Sequence, residues 1–218
     1  MVFLGWNPKT TQEIFSLDEL VAAFDMAGMG KSGAVLDPVK LDWMNAQYIT
    51  ALSNDELLAR LDIYLERYHS DFYMSVFVPA GPVKNLAIVS ELRTRLKRLS
   101  DYPELTGFLY GQATLRPELL VNVKMKIETP EQARVFLEFG LGVLESLRTQ
   151  GDLPDPETTK TTVMAMIAAA EHKNGQILWP LRIALSGEEF SPGAFECLNI
   201  LGLDLSIQRV RALLEKCA

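Results

Sequence analysis

Arginines are the residues of this sequence whose surroundings most readily suggest chemistry. Arg182 is the one charged residue of an otherwise apolar stretch, 179–184, and Ser191-Pro192 follows it closely. Because burying an unpaired guanidinium is costly, Arg182 must either pair with a carboxylate or serve a ligand. Three nearby carboxylates could pair with it in an ordinary structural role: Glu188, Glu189 and Glu196.

A second group places four positive charges within six residues: Arg93, Arg95, Lys97 and Arg98. Cations near the end of a helix are favoured by the helix dipole, so a solvated basic face is the ordinary interpretation. Arg95 differs from its neighbours because it lies between Leu92 and Leu96, at the edge of an apolar stripe. That position favours a functional role for Arg95.

Other site chemistries find little support in the sequence. Gly28-Met29-Gly30-Lys31-Ser32 resembles a phosphate-binding loop, but Asp25 occupies the position where the motif needs glycine. His69 and His172 lie far apart, without cysteine or carboxylate at ligand spacing. No serine, cysteine or histidine has the partners of a nucleophile. We therefore expect neither a metal site nor a catalytic residue.

Composition describes a globular protein with one large or two small domains. The chain has 218 residues, of which 48% are hydrophobic and 22% charged. Its net charge of −7 argues against a protein that coats nucleic acid nonspecifically, but permits one that reads a few nucleotides with a few arginines. The sequence has no run of 18 apolar residues and only two cysteines, and its first residues, 1–6, lack the basic region and cleavage site expected of a signal peptide. We expect a cytoplasmic protein that does not enter a membrane.

Helix start signals recur along the whole chain. Capping boxes begin at Ser16 and Ser53, each with glutamate three residues later. Proline follows a capping residue at Asp37, Thr129 and Asp155, which places it at the first helical position. These signals predict an all-α chain, with a linker at 151–156.

The pattern also predicts particular helix boundaries. After a break at 79–82, a helix is expected to run to about Leu99. A shorter helix should start at Ser191-Pro192 and end at a left-handed Gly202, followed by a last helix over 206–216. Only residues 119–127 alternate in a strand-like way, which predicts a short extended segment.

Several stretches, taken in order, resemble bacterial-type glutamyl-tRNA synthetase. They are Leu4-Gly5-Trp6, Lys31-Ser32-Gly33-Ala34-Val35-Leu36-Asp37, Lys40-Leu41-Asp42-Trp43-Met44-Asn45, Arg93-Thr94-Arg95 before Tyr102-Pro103-Glu104, Pro180-Leu181-Arg182, and Ser191-Pro192-Gly193-Ala194-Phe195-Glu196. The sequence departs from the family at Thr50, where arginine is usual, and at Leu36, where phenylalanine is usual. The family's His-x-Gly-His and Lys-x-Ser-Lys signatures for ATP are absent.

This resemblance implies a fold and a domain order. It implies a helical bundle or cage that binds the anticodon, preceded by the remainder of a helical stem-contact domain. The predicted boundaries are 1–62 for the stem-contact remainder, and 63–108 and 109–218 for two helical subdomains of the anticodon-binding domain. We expect a monomeric piece of an ATP-dependent ligase, not catalytic alone, whose N-terminal catalytic half is missing. ATP and magnesium would belong to the parent enzyme, with no cofactor in this part.

The resemblance also implies roles for individual residues on the anticodon loop of glutamate tRNA. Arg95, paired with Arg93, would read the third anticodon base, and Arg182 would support the flipped-out anticodon. Ser191 and Pro192 would lie at a helix N-terminus and bond a base or phosphate. A further aromatic residue, Phe195, would supply an apolar wall.

One alternative remains open at this point. The chain could instead be a helical scaffold or protein-interaction module derived from such a domain, without RNA binding.

Overall fold

A computed structural model describes residues 5–30, 35–111, 113–151, 153 and 155–217. Leu4, the Lys31–Ala34 part of the phosphate-loop-like and family-like stretches, and Asp152 and Pro154 of the predicted linker lie outside these residues. Within them the chain forms ten α-helices: α1 Leu17–Ala23, α2 Pro38–Ala51, α3 Asn54–Tyr68, α4 Ser70–Phe72, α5 Val78–Leu92, α6 Tyr102–Tyr110, α7 Pro130–Thr149, α8 Pro156–Ala169, α9 Asn174–Ser186 and α10 Ala194–Lys216. In the same residues the only β pairing is two isolated bridges, Trp6–Met29 and Asn122–Ile127. The all-α prediction is confirmed.

The predicted helix starts are formed by the expected side chains. The Ser16 N–H donates to the Glu19 carboxylate at 2.7 Å, and the Glu19 N–H donates to Ser16 Oγ at 3.2 Å. The second capping box, which opens α3 at Ser53, has the same two bonds. At the start of α2, Asp37 Oδ1 accepts from the first-turn N–H groups. Pro38 has no backbone N–H and therefore needs no acceptor at this position. These starts depend on neighbouring residues alone, so the sequence predicts them well.

The helix expected to reach Leu99 ends earlier. α5 stops at Leu92, a 3₁₀ turn covers Arg93–Arg95, and Leu96 is extended with ψ 121°. The Arg98 N–H then donates to the Asp101 carboxylate at 2.9 Å, which caps the next turn. Arg95 therefore lies in a tight turn rather than on a helix face.

The helix predicted to start at Ser191-Pro192 begins two residues later. Gly193 is the N-cap of α10, whereas Ser191 Oγ donates to the Pro192 carbonyl at 3.0 Å and caps no helix. The predicted stop at Gly202 is a kink inside α10, with φ 73° and ψ 171°. Positive φ is correct for this glycine, but its ψ is not that of a left-handed cap.

The predicted extended segment at 119–127 is a compact turn. Asn122 and Ile127 form a bridge that closes around the 3₁₀ turn Val123–Met125. The Asn122 side chain accepts from the Met125 N–H, and Lys126 adopts a left-handed φ of 60°. Asparagine favours such local bonds over a strand, so the strand-like prediction was wrong.

Buried side chains form two clusters. The N-terminal cluster comprises Ile49, Leu57, Leu61, Leu65, Phe77, Ile88, Val89, Leu92, Leu96, Tyr102 and Leu109. The C-terminal cluster draws on α7, α8, α9 and α10 and includes Leu137, Leu144, Ile167, Ile183 and Val210. Phe108 and Leu201 pack against both clusters, so the two cores meet there. The domain boundaries at 62/63 and 108/109 stay a prediction.

A buried arginine joins the helices of the two clusters. Arg209 of α10 is 5% exposed, and its guanidinium donates to the carbonyls of Leu185, Phe108 and Gly111. Leu185 lies in the last turn of α9, while Phe108 and Gly111 mark the end of α6. One side chain therefore ties the ends of two helices that are far apart in sequence.

One stretch is long and apolar enough to cross a membrane. Ser70–Arg95 passes that test by length and composition only, a test that core helices of non-membrane proteins also pass. Gly81 interrupts it with φ 78° and ψ 165°, and Ile88, Val89 and Leu92 are fully buried in the N-terminal cluster. These side chains contribute to the protein core, whereas Met74, Val78 and Val83 of the same stretch are exposed.

Removing the Arg209 guanidinium should destabilise the fold. In Arg209→Met the carbonyls at both helix ends lose a charged donor while remaining buried, so the free energy of unfolding should fall by about 3 kcal/mol. Urea denaturation followed by circular dichroism measures it. Arg211→Met is the control, because Arg211 is half exposed and pairs with Glu145 at 2.6 Å on the surface. Its effect should stay below about 1 kcal/mol, and equal losses for both variants would contradict the junction role.

Candidate nucleic-acid interface

Arg182 organises the loop of residues 187–193 that joins α9 to α10. Its Nη2 donates to the Glu189 carbonyl at 2.8 Å, and its Nη1 lies 3.4 Å from the Ser191 carbonyl and 3.5 Å from Ser191 Oγ. The guanidinium also stacks on the ring of Trp179, one helical turn earlier, with Arg182 Cζ 4.5 Å from the ring centroid. One side chain therefore holds the loop backbone at two carbonyls, on either side of Phe190.

Arg95 reaches the same loop from the other cluster. Its Nη1 donates to the Ser191 carbonyl at 3.3 Å, the same oxygen that Arg182 contacts. Arg95 is exposed and Arg182 is half-buried. The structure thus brings together three of the residues that the sequence singled out, Arg95, Arg182 and Ser191.

The other cations near Arg95 are held by α2 and the residue after it. Arg93 donates to the Leu52 carbonyl, and Arg98 makes a two-bond pair with the Asp42 carboxylate at 2.6 and 2.7 Å. The Arg98 hydrogen bonds lower the pKa of the Asp42 carboxyl. These contacts anchor the turn on both sides of Arg95. Arg95, Lys97 and Arg98 are exposed, and of these three Arg98 is held in an ion pair.

The carboxylate pairing considered for Arg182 is replaced by main-chain contacts. Arg182 meets Glu189 through its carbonyl, while the Glu188 carboxylate pairs with Arg116 at 3.0 Å. Burial is the main cause that lowers the pKa of Arg182, and the nearby Arg95 lowers it further. Among the described residues the guanidinium makes no ion pair, and the Glu189 and Ser191 carbonyls and Ser191 Oγ hold it to the loop.

One acidic side chain interacts electrostatically with Arg95. Burial raises the pKa of the Glu91 carboxyl, as does the negative charge of Glu196, while Arg95 acts in the opposite direction. The Glu91 carboxyl therefore lies within electrostatic reach of the exposed guanidinium. Arg95 still presents a fork of N–H donors, which can bond the edge of a base.

The remaining predicted site residues lie close by but are less accessible. Pro192 is buried, and its carbonyl accepts from Ser191 Oγ. Phe195 is half-buried and packs against the C-terminal cluster. Arg93 is half-buried with its donor turned to Leu52.

Sequence reasoning missed three residues around this loop. Trp179 is three residues before Arg182, a helical spacing that could have revealed the stacking contact. Arg209 stands between Gln208 and Val210 with Arg211 close by, so it does not stand out in the sequence as Arg182 does. Phe190 is 84% exposed, and no helical pattern marks it.

Metal ligands are also absent from the part of the chain that the structure describes: no group of three or more His, Cys, Asp or Glu side chains there could hold an ion. The expectation of no metal site stays a prediction for the whole chain.

Comparison with known proteins gives the family. A family model described as an anticodon binding domain matches residues 56–214. The chain belongs to the anticodon-binding domain family. The resemblance drawn from the arginine and Leu-Gly-Trp stretches is thereby confirmed.

Relatives of this anticodon-binding domain are longer proteins. Glutamate–tRNA ligases of Clostridium novyi and Clostridium tetani are each 38% identical over 99% of this chain, which covers 42% and 41% of their lengths. A solved glutamate tRNA ligase from Elizabethkingia meningosepticum, in complex with its amino acid, has a TM-score of 0.75 and 24% identity, over 99% of this chain and 39% of that one. The glutamate-tRNA synthetase of Elizabethkingia anophelis gives 0.74. The structural likeness shows the fold, and the chain spans about two fifths of the length of these relatives.

The loop of this anticodon-binding domain depends on a glycine. Gly187 caps α9 with φ 70°, and its N–H donates to the Ile183 carbonyl at 2.8 Å. A Cβ at this position would collide with the Thr114 carbonyl oxygen. Only glycine therefore allows the chain to turn from α9 toward Ser191.

Gly187→Ala should destabilise the domain. The left-handed backbone alone costs an L-residue about 1–2 kcal/mol, and the collision with Thr114 adds to it. Gly142→Ala is the matched control, because Gly142 lies on α7 with nothing within 4 Å of a new Cβ. That change should stabilise by up to about 1 kcal/mol. Urea unfolding of both variants checks the pair, and two changes of the same sign would contradict this account.

Proposed function

We propose that this anticodon-binding domain recognises the anticodon loop of glutamate tRNA as the C-terminal part of a glutamate–tRNA ligase. The observation that carries the proposal is the meeting of Arg95 and Arg182 at the Ser191 carbonyl. Two donor-only side chains from separate clusters converge there on one fixed loop. The choice of glutamate tRNA as the ligand rests on the relatives, which are glutamate–tRNA ligases with 38% identity to this chain.

Arg95 is proposed to read the third anticodon base. A guanidinium carries five N–H donors and no acceptor, and its bond to Ser191 uses one of them at the long distance of 3.3 Å. On its Watson–Crick edge an unstacked cytosine presents the O2 and N3 acceptors, which Arg95 can satisfy, whereas guanine presents N1–H and N2–H donors there, which would face the donors of Arg95. Glutamate and glutamine anticodons differ by this cytosine and guanine, so Arg95 would favour glutamate tRNA.

The other site residues are proposed to support that reading. Arg182 would hold the loop of residues 187–193 and contact the flipped-out anticodon. Ser191 would offer its hydroxyl, and Phe195 would form an apolar wall for the base, supported by the buried Pro192. Arg93 would act indirectly, because its bond to the Leu52 carbonyl positions the turn that carries Arg95.

The chemistry of the ligase is proposed to lie outside these 218 residues. The relatives are more than twice as long, and ATP and magnesium would act in their remaining part, where glutamate is activated and joined to tRNA. We place the protein in the cytoplasm with the translation machinery, as a monomer.

Binding of glutamate tRNA tests the proposal directly. Fluorescence anisotropy at low salt should show saturable binding in the micromolar range or tighter, weakening as salt rises because phosphates release counterions. The second candidate is a protein-interaction module, favoured by α1, whose Leu17 and Val21 are 75% and 69% exposed. Absence of tRNA binding at high micromolar protein would favour that candidate.

Arg95→Gln and Arg182→Ala should each weaken tRNA binding by about 1–3 kcal/mol, the usual cost of losing a charge-assisted contact. If both side chains act on one ordered loop, the double variant should lose less than the sum of the two. Anisotropy titrations of the four proteins measure the coupling.

Two controls separate this effect from a general loss of charge. Arg134→Gln removes a surface guanidinium that pairs with Glu138 at 2.9 Å, and binding should not change. Lys97→Ala should reduce affinity uniformly and lower the salt slope by about 1. Equal modest losses for Arg95, Arg182 and Lys97 variants would mean that the group is only a basic face.

A further inference from the structure

Phe190 is an exposed aromatic ring on an anchored backbone. Its ring is 84% exposed. The preceding carbonyl, of Glu189, accepts from Arg182 at 2.8 Å, and the following one, of Ser191, accepts from both Arg95 and Arg182. The fold therefore fixes the main chain on both sides of Phe190 while leaving its side chain in solvent.

The exposed ring leaves a large apolar surface in water. The position forgoes the stabilisation that burial of a phenylalanine side chain gives. The ring lies in the same loop as the carbonyl that the two arginines share. An exposed aromatic ring beside donor groups is the arrangement by which single-stranded RNA is held, with the base stacked on the ring and its edge bonded by side chains.

A cavity of about 500 Å³ opens beside the ring. Phe190 lines it together with the apolar side chains of Leu105, Phe108 and Leu119. A volume of this size lies within the usual range for a small-molecule ligand. An unstacked nucleobase therefore has room to lie against Phe190.

The charges of this cavity favour a base over a phosphate. Three carboxylates line it, those of Glu104, Glu188 and Glu189, with the single guanidinium of Arg116, which Glu188 already pairs at 3.0 Å. Carboxylates repel phosphate and accept from the N–H groups of a base, as glutamate does from cytosine. The occupant that fits is a flat, neutral, hydrogen-bonding ring.

We propose that Phe190 stacks on a second nucleobase of the anticodon loop, adjacent to the base that Arg95 reads. This inference rests on the proposed function, because it requires the RNA loop to lie on Arg95. It adds a stacking contact on a residue outside the arginine pair.

The test combines protein variants with abasic RNA. Phe190→Leu keeps an apolar side chain and removes the ring, and Phe190→Tyr keeps the ring. Both should fold normally because the position is exposed. Phe190→Leu should lower affinity for the glutamate anticodon stem-loop about 5- to 100-fold, the usual range for losing one base–aromatic stack, and Phe190→Tyr should bind as the unaltered protein does.

The stacked nucleotide is then found by removing bases one at a time. An abasic site at one nucleotide beside the third anticodon base should weaken binding to the unaltered protein and have no further effect on Phe190→Leu. Full affinity of Phe190→Leu, beside a weakened Arg95→Gln, would overturn the stacking role and leave the proposed function intact. The stacking role would also be overturned if Phe190→Tyr lost as much as Phe190→Leu. Lack of RNA binding by the unaltered protein would overturn the proposed function as well.

Discussion

The buried guanidinium of Arg209 is the contact on which the relative position of the two helical clusters depends. Carbonyls in the last turn of a helix have no intrahelical donor, and the negative end of the helix dipole lies there. Arg209 donates at the ends of both α6 and α9, through Phe108, Gly111 and Leu185. Its charge lies close to two negative helix ends, so the cost of burying it is offset without a carboxylate.

The candidate site also depends on how the two clusters pack together. Arg95 belongs to the turn that follows α5, and Arg182 lies on α9 one turn before Leu185, which Arg209 holds. The two guanidinium groups come from different clusters and meet at the Ser191 carbonyl. A site divided in this way needs both clusters in place, so its geometry should depend on the stability of the junction as well as on the arginines themselves.

Local features were predictable from the sequence, and long-range ones less so. Capping boxes at Ser16 and Ser53 are decided within four residues, so the helix starts were correct. The end of α5 was missed because the Arg93–Arg95 turn is held by contacts with α2 and Leu52, distant in sequence. Arg95 and Arg182 were singled out because a charged side chain at the edge of an apolar stretch must pair with another group or serve a ligand. Phe190 has no such signal, since only the structure shows that it is exposed.

If Arg95 reads a base, the effect appears in the ratio of two affinities. Binding is measured at one salt concentration to the glutamate anticodon stem-loop and to the same RNA with guanine at the third anticodon position. Unaltered protein should prefer cytosine by about 5- to 100-fold, the discrimination expected of a well-placed base contact. For Arg95→Gln the ratio should fall close to one. A ratio that Arg95→Gln leaves unchanged would contradict the claim, even if overall affinity were reduced.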